Sequence, residues 1–298
     1  MSKNPGIWNY LSMMKPRVVF LLVLSALAGF IAGEAAAATN FIHWDRCLVL
    51  IAGGALSSGG ANVINSWYER DIDAIMKRTS NRPIPEGRIT PGKALTFGVV
   101  SIITGVSLSL VWLNSLSALL IGAGALWYAV VYTMVLKRRT KWNILGGGFA
   151  GIFPVFAGWT AAQAPLTTLF PWMLSFLIWI WIPLHFWALA IRYLDDYEAA
   201  NLPMLPVKIG PEKTVNYISI SGLLILLTVL GMALLPETHL IFILFSLPLC
   251  LWLLMIALLT LRNPSKRNAW QLFQTSNVFL MLILVIIILD SSILIYYD

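Results

Sequence analysis

Runs of about 20 almost wholly apolar residues recur along this 298-residue chain, at 18–38, 48–66, 94–113, 116–136, 143–162, 172–191, 215–235, 240–261 and 278–296. A helix of that length rises about 30 Å, the thickness of a bilayer's hydrocarbon core, where the backbone must satisfy its own N–H and C=O groups. The expected fold is therefore all-α, a polytopic membrane protein of nine transmembrane helices forming one domain over 1–298. Composition agrees: 11% of residues are charged, against about 25% in soluble domains.

Assigning alternate loops to opposite sides places 19 of the 20 Lys and Arg on one side, Arg46 being the exception. That side, which includes Lys3, Lys15 and Arg17, is expected to be cytoplasmic, with the N-terminus inside and the C-terminus outside. The net charge of +7 is thus spread over loops between spans rather than gathered on one soluble face, so the lipid bilayer, not nucleic acid, is the expected partner. Cys47 and Cys250 lie far apart with no metal-ligand spacing and read as packing residues. His43 and His239 fall at outer span ends and read as interfacial.

The most polar stretch, 62–85, follows the second span. Asn65, Glu69 and Asp73 recur every four residues, so a helix stacks their oxygens along one face. One amide and two carboxylates are hard oxygen donors of the kind Mg²⁺ takes, leaving positions for water and phosphate. Downstream, Lys77, Arg78, Arg82 and Arg88 are cations suited to a diphosphate. The competing reading is a solvated helix end whose acids and bases pair with each other.

A second acidic cluster, Asp195 and Asp196, ends the sixth span, and each cluster is followed by Asn-x-Pro, at Asn81 and Asn201. Four spans separate the clusters, so they share a side and can face each other across a cytoplasmic cap. Adjacent helical residues point about 100° apart. One of the pair is expected to take a second Mg²⁺ while the other orients a base. His185 precedes Asp195 by ten residues, or about 15 Å of helix. A polar ring at that depth faces the bundle interior or a cavity, or bonds a neighbouring backbone or hydroxyl group.

The pattern Asn65-x3-Glu69-x3-Asp73, with Arg78-Thr79 and Asn81-Arg82-Pro83, resembles the first aspartate-rich motif of the UbiA-type intramembrane prenyltransferases. His185-Phe-Trp-Ala-Leu-Ala190 and Asp196-Tyr-Glu-Ala-Ala-Asn-Leu-Pro-Met-Leu-Pro206 resemble the haem O synthase branch, although Arg192 stands where many relatives carry the first Asp of a second pair. Lys15-Pro-Arg17 also resembles the family's start, so the first span is read as retained, although 33–39 has the small residues of a signal-peptidase site.

The resemblance implies helices around a central cavity and transfer of farnesyl from farnesyl diphosphate to a vinyl group of protohaem IX (haem B). Water addition then gives haem O. It implies catalytic roles for Asn65, Glu69, Asp73 and Asp196, with Mg²⁺ held by Asn65, Glu69, Asp73, Asp195 and Asp196. It implies diphosphate binding by Lys77, Arg78, Arg82, Tyr132, Lys137 and Arg138, and haem binding by His185, Trp181 and Trp187. It further implies the cell inner membrane and a haem A synthase or oxidase assembly partner. A quinone precursor or another aromatic is the alternative acceptor. A secondary transporter would carry its coupling carboxylates near mid-membrane on broken helices, whereas both clusters here sit at span ends.

The charge segregation has a direct test. Cysteines introduced at Ser80 and Asn268 are expected to react with an impermeant thiol reagent from the cytoplasmic side alone, and one at Gln163 from the opposite side alone. Labelling of Ser80 from outside would invert the topology.

Overall fold

The computed structural model describes residues 6–297, so Lys3 lies outside the described residues. Each apolar run forms a helix, and among the described residues nine helices are long and apolar enough to cross a membrane. A short helix α1 (Ile7–Met13) leads into α2 (Pro16–Ala36). The second span is α3 (Trp44–Tyr68), followed across a kink by the short α4 (Arg70–Ile75). Then come α5 (Pro91–Trp112) and α6 (Ser115–Leu126), the latter continuing as a ten-residue π-helix, Trp127–Leu136. Asn114 sets the tight corner between α5 and α6, its side chain accepting the Ser117 N–H at 2.8 Å as an N-cap.

The fifth span is broken. Helix α7 (Asn143–Gly148) passes through a 3₁₀ turn at Phe149–Gly151 into α8 (Phe153–Ala161). The sixth, α9 (Phe170–Arg192), ends before the short α10 (Leu194–Ala199) and α11 (Leu205–Ile209). The chain finishes with α12 (Pro211–Met232), α13 (Leu240–Arg262) and α14 (Lys266–Tyr297). Helix α14 starts 12 residues before the apolar run expected at 278, because its first three turns carry Trp270, Phe273 and Ser276 at helical spacing toward α9.

The helices close into a ring. Helix α2 packs on α3, α8 and α14, while α9 packs on α12 and α14, and α13 bridges α12 and α14. Two contacts bring backbones together because glycine removes the side chain between them, the way membrane helices gain packing without a hydrophobic drive. A Cβ on Gly158 of α8 would lie 1.9 Å from Ala26 O of α2, and one on Gly29 would lie 2.3 Å from Val155 O. Between α3 and α5, a Cβ on Gly60 would lie 2.5 Å from Gly98 O, and one on Gly98 would lie 3.0 Å from Gly60 O.

The long connections 76–90 and 193–210 emerge at one end of the bundle, where the Arg78 N–H reaches Asp196 Oδ2 at 3.1 Å and Lys266 reaches Asp195 at 2.6 Å. At the opposite end His43 Nδ1 lies 2.8 Å from buried Glu34 Oε2. There too, Asp290 accepts the His239 and Phe242 N–H groups at 2.8 and 3.0 Å, capping α13 from α14. The His43 ring is thus held by Glu34 while His239 is bonded through its backbone alone and is exposed, and Cys47 and Cys250 are free thiols buried in packing.

The glycine contacts yield a matched pair of variants. Gly158→Ala places its methyl against backbone that cannot yield, an overpacking cost of about 1–3 kcal/mol or more. Gly54→Ala meets nothing within 4 Å. Thermal unfolding in detergent should show the first variant clearly destabilised and the second close to the parent.

Candidate active site

Inside the ring lies a cavity of about 1050 Å³ that runs from the capped end into the apolar middle. Asn65, Glu69 and Asp73 line its capped end. Helix α3 stops at Tyr68, yet the Glu69 N–H still bonds Asn65 O at 2.9 Å and the Asp73 N–H bonds Glu69 O at 2.8 Å. The four-residue stacking thus survives the kink, and all three side chains are buried.

Each of the three oxygen groups meets one cation from a different place. Lys15 Nζ donates to Asn65 Oδ1 at 2.7 Å. Lys137 Nζ lies 2.5 and 2.6 Å from the two oxygens of Glu69. One terminal nitrogen of Arg82 donates to both oxygens of Asp73, at 2.8 and 2.7 Å. Asn65 also donates to Thr133 Oγ1 at 3.1 Å, which fixes the amide with its oxygen toward Lys15.

Burial, then the charge of Arg82, lowers the Lys15 pKa to about 7, although Glu69 and Asp73 pull the other way. Burial also pulls the Lys137 ammonium down, but contact with Glu69 outweighs it and the net shift is upward. Lys15 holds a left-handed backbone, φ 54°, directly before Pro16. A long side chain tolerates that conformation only at a cost, and such strain gathers at functional sites.

The π-helix supplies a second wall. Its wider turn lets Thr133 Oγ1 reach the Tyr128 carbonyl five residues back at 2.8 Å, and it stacks Tyr128 on Tyr132 with centroids 5.6 Å apart. Tyr132 lies flat against Gly147, where a Cβ would come within 2.1 Å of the ring. Gly147 thus admits a close neighbour, and Gly147, Gly148 and Gly151 all line the cavity.

Arg78 lines the cavity with its guanidinium over the Tyr193 ring, 5.4 Å from the centroid, and no side-chain hydrogen bond to protein among the described residues. Deeper in, Trp181 and His185 are on the wall, with Phe273 and Asn277 of α14 beside them.

Several residues expected at the site are held elsewhere. Lys77 is exposed and does not line the cavity. Arg138 forks onto Asp71 at 2.8 and 2.7 Å on the outer surface, a bond that lowers the Asp71 pKa and raises its own. Arg88 bonds Glu86, Asn9 and Asn81 O, knitting the loop.

Trp187, two residues beyond His185 and so on the far side of α9, packs edge-on against Trp142 and Tyr217. Asp195 is 79% exposed and bonded to Lys266, which lowers its pKa. It is not on the helix of His185, because α9 ends at Arg192. Asp196, expected to face the first cluster, does not line the cavity and accepts the Arg78 backbone N–H with Oδ2 at 3.1 Å.

Among the described residues no three His, Cys, Asp or Glu converge on one point. The donor set is therefore two carboxylates and an amide, which fits Mg²⁺ completed by water and phosphate rather than a closed protein cage. Lys15, Tyr128 and Ser276 were not among the residues expected here; Lys15 carried only the signal of standing beside a span end, and Tyr128 that of lying one turn before Tyr132 within the fourth span.

Comparison with known proteins gives the family and the fold. Residues 22–283 match the UbiA prenyltransferase family. A Protoheme IX farnesyltransferase from Caldivirga maquilingensis is 40% identical, covering 95% of this chain and 98% of that protein. One of the same name from Thermus thermophilus is 40% identical over 96% of this chain, which spans only 46% of that longer protein. Among solved structures, a digeranylgeranylglyceryl phosphate synthase shares the fold with a TM-score of 0.73 at 19% identity, covering 96% and 98% of the two chains. A UbiA homolog from Archaeoglobus fulgidus bound to GPP and Mg²⁺ gives 0.70 at 16%, covering 94% and 99%.

Removing one free-handed cation should weaken an anion more than it disturbs the fold. For Arg78→Ala, which leaves no buried carboxylate without its partner, calorimetry with inorganic pyrophosphate and Mg²⁺ is expected to show at least a tenfold loss of affinity, about 1.4 kcal/mol. Asp71→Asn, on the outer face, should stay within about twofold of the parent. Equal losses in both would refute this division of the cluster.

Proposed function

Because the chain belongs to the UbiA prenyltransferase family, we propose that it transfers a farnesyl group from farnesyl diphosphate to a vinyl group of protohaem IX, water adding to give haem O. The observation that carries this is one cavity holding an oxygen cluster with three cations at its capped end and an aromatic-stacked histidine at depth. The relatives' name favours haem as acceptor over a quinone precursor.

Asn65, Glu69 and Asp73 would hold Mg²⁺, which supplies charge neutralisation for the leaving diphosphate. Lys15, Lys137 and Arg82 now balance these groups, and they are placed to turn to phosphate oxygens while the acids take the metal. Arg78 and Arg82 keep N–H groups uncommitted to protein for the same task. Stabilising the charge that builds on the departing oxygens lowers the barrier to C–O cleavage.

Tyr132 and Tyr128 would face the allylic cation, which the ring quadrupole favours. The apolar reach of the cavity past Ile121 and Ala157 would take the farnesyl chain and exclude water until the vinyl carbon has attacked. Water then adds to the carbocation on the former vinyl group, and its proton leaves with the diphosphate. Asp196 would act by positioning Arg78, and Asp195, Arg138 and Lys77 by holding or charging the outer cap.

The protein would act as one domain in the cell inner membrane with the cap on the cytoplasmic side, where a soluble diphosphate head arrives. Its product would pass to a haem A synthase or an oxidase assembly partner.

Purified protein incubated with farnesyl diphosphate, Mg²⁺ and haem should yield a haem heavier by one farnesyl group and one hydroxyl group, read by mass spectrometry. Glu69→Ala and Asp73→Ala are each expected to reduce turnover by more than tenfold, over about 1.4 kcal/mol in barrier. Unaltered haem alongside a prenylated quinone precursor would move the acceptor assignment to the other branch.

A further inference from the structure

The surroundings of His185 settle which ring nitrogen carries the proton. Nδ1 lies 2.8 Å from Ser276 Oγ, and Ser276 Oγ lies 2.8 Å from the Phe273 carbonyl oxygen. A carbonyl can only accept, so the single hydroxyl proton of Ser276 belongs to Phe273. Otherwise two oxygens would face each other at hydrogen-bond distance with no proton between them. Ser276 Oγ is then an acceptor toward His185, which must donate from Nδ1–H. Nε2 is left with its lone pair and no hydrogen-bond partner among the described residues.

The ring is held in this state. Trp181 stacks on one side at 4.4 Å between centroids and Phe273 on another at 4.3 Å. Trp181 Nε1–H itself donates to Ser276 O at 2.8 Å, so both side chains of α9 are fastened to the same residue of α14. His185 is 6% exposed, and it lines the cavity. A core histidine would use both nitrogens, since an unpaired polar group in an apolar interior costs about 1–3 kcal/mol. A nitrogen left bare on the wall of a ligand cavity marks a ligand position.

We infer that His185 Nε2 is the axial ligand to the iron of the acceptor porphyrin, and that Ser276 is the positioning residue that fixes its tautomer and orientation. The inference rests on the haem-acceptor reading and deepens it. The lone pair of Nε2 forms a dative bond to iron, and no proton or electron is transferred. Metal-bound imidazoles regularly donate their other N–H to an oxygen, which raises their basicity and sets the ring plane. Coordination at a fixed point anchors the macrocycle below the capped end of the cavity, so that the vinyl presented to the farnesyl cation is chosen by rotation about one axis. Trp270, stacked on Phe273 at 5.2 Å, extends the aromatic surface beside it.

The test is spectroscopic and does not require turnover. Purified full-length protein is titrated with haem, and the ferrous complex is examined for the iron–imidazole stretch by resonance Raman. The parent should show that stretch. His185→Gly should lose it and bind haem at least tenfold more weakly, with added imidazole restoring the signal. Ser276→Ala should retain the stretch at a lower frequency, since an imidazole without its Nδ1–H acceptor is a poorer donor, while Ser276→Thr should return it toward the parent. Retained pyrophosphate binding establishes that each variant is folded. An unchanged stretch in His185→Gly overturns the ligation, and an unchanged frequency in Ser276→Ala overturns the role of Ser276. A parent that binds no haem overturns the acceptor reading and the ligation with it, whereas haem bound without an imidazole signal overturns the ligation alone.

Discussion

Glu69 and Asp73 are carboxylates withdrawn from water, and the rest of the site depends on how their charge is met. Lys137 answers the first and Arg82 the second, while Lys15 bonds the amide of Asn65 one turn before Glu69. Removing one member of a buried pair leaves the other uncompensated, at about 3–5 kcal/mol. Such a pair contributes less to net stability than this suggests, because desolvating both ions already costs much of their attraction. A paired but strained polar cluster is therefore weak as a staple and well suited to exchange its partners for a metal and a phosphate.

That exchange needs a rigid frame, and the frame comes from glycine. Where α2 meets α8 and α3 meets α5, backbones approach closely enough to exclude any side chain. Lipid is as apolar as leucine, so close contact rather than water exclusion holds these helices together. The ring so formed is wide enough to keep its centre open, and the departures from regular α-helix fall on the cavity. The kink at Glu69 and the π-helix ending before Lys137 turn polar or flat groups inward, and the break at Phe149–Gly151 puts Ala150 and Gly151 on the wall. Irregular backbone is tolerable there because it lines a cavity instead of facing lipid.

The two ends of the cavity divide the chemistry. At the cap, cations with uncommitted N–H groups meet oxygen donors; at depth, His185 stands among rings with one nitrogen bare. The span between them is apolar. Under the proposed function, a diphosphate and a flat macrocycle would thereby be kept apart except where a reactive carbon passes from one to the other.

Much of this was legible in the residues alone. A bilayer permits few backbone solutions, so runs of about 20 apolar residues dictate spanning helices, and the one-sided distribution of Lys and Arg gives their expected orientation. The spacing of Asn65, Glu69 and Asp73 fixes one face on any helix, and the structure keeps that face even through a kink. Local periodicity does not choose distant partners. Lys15 meets Asn65 across 50 residues, Lys137 meets Glu69 across 68, and Ser276 meets His185 across 91. The same limit explains why Asp195 turns outward to Lys266, Arg138 to Asp71 and Trp187 to Tyr217, though each looked like a site residue. Sequence determined which groups stand at each membrane depth, because the solvent sets that. Only the closed ring decided which of them face the cavity and which proton His185 keeps, because those depend on contacts between helices far apart in the chain.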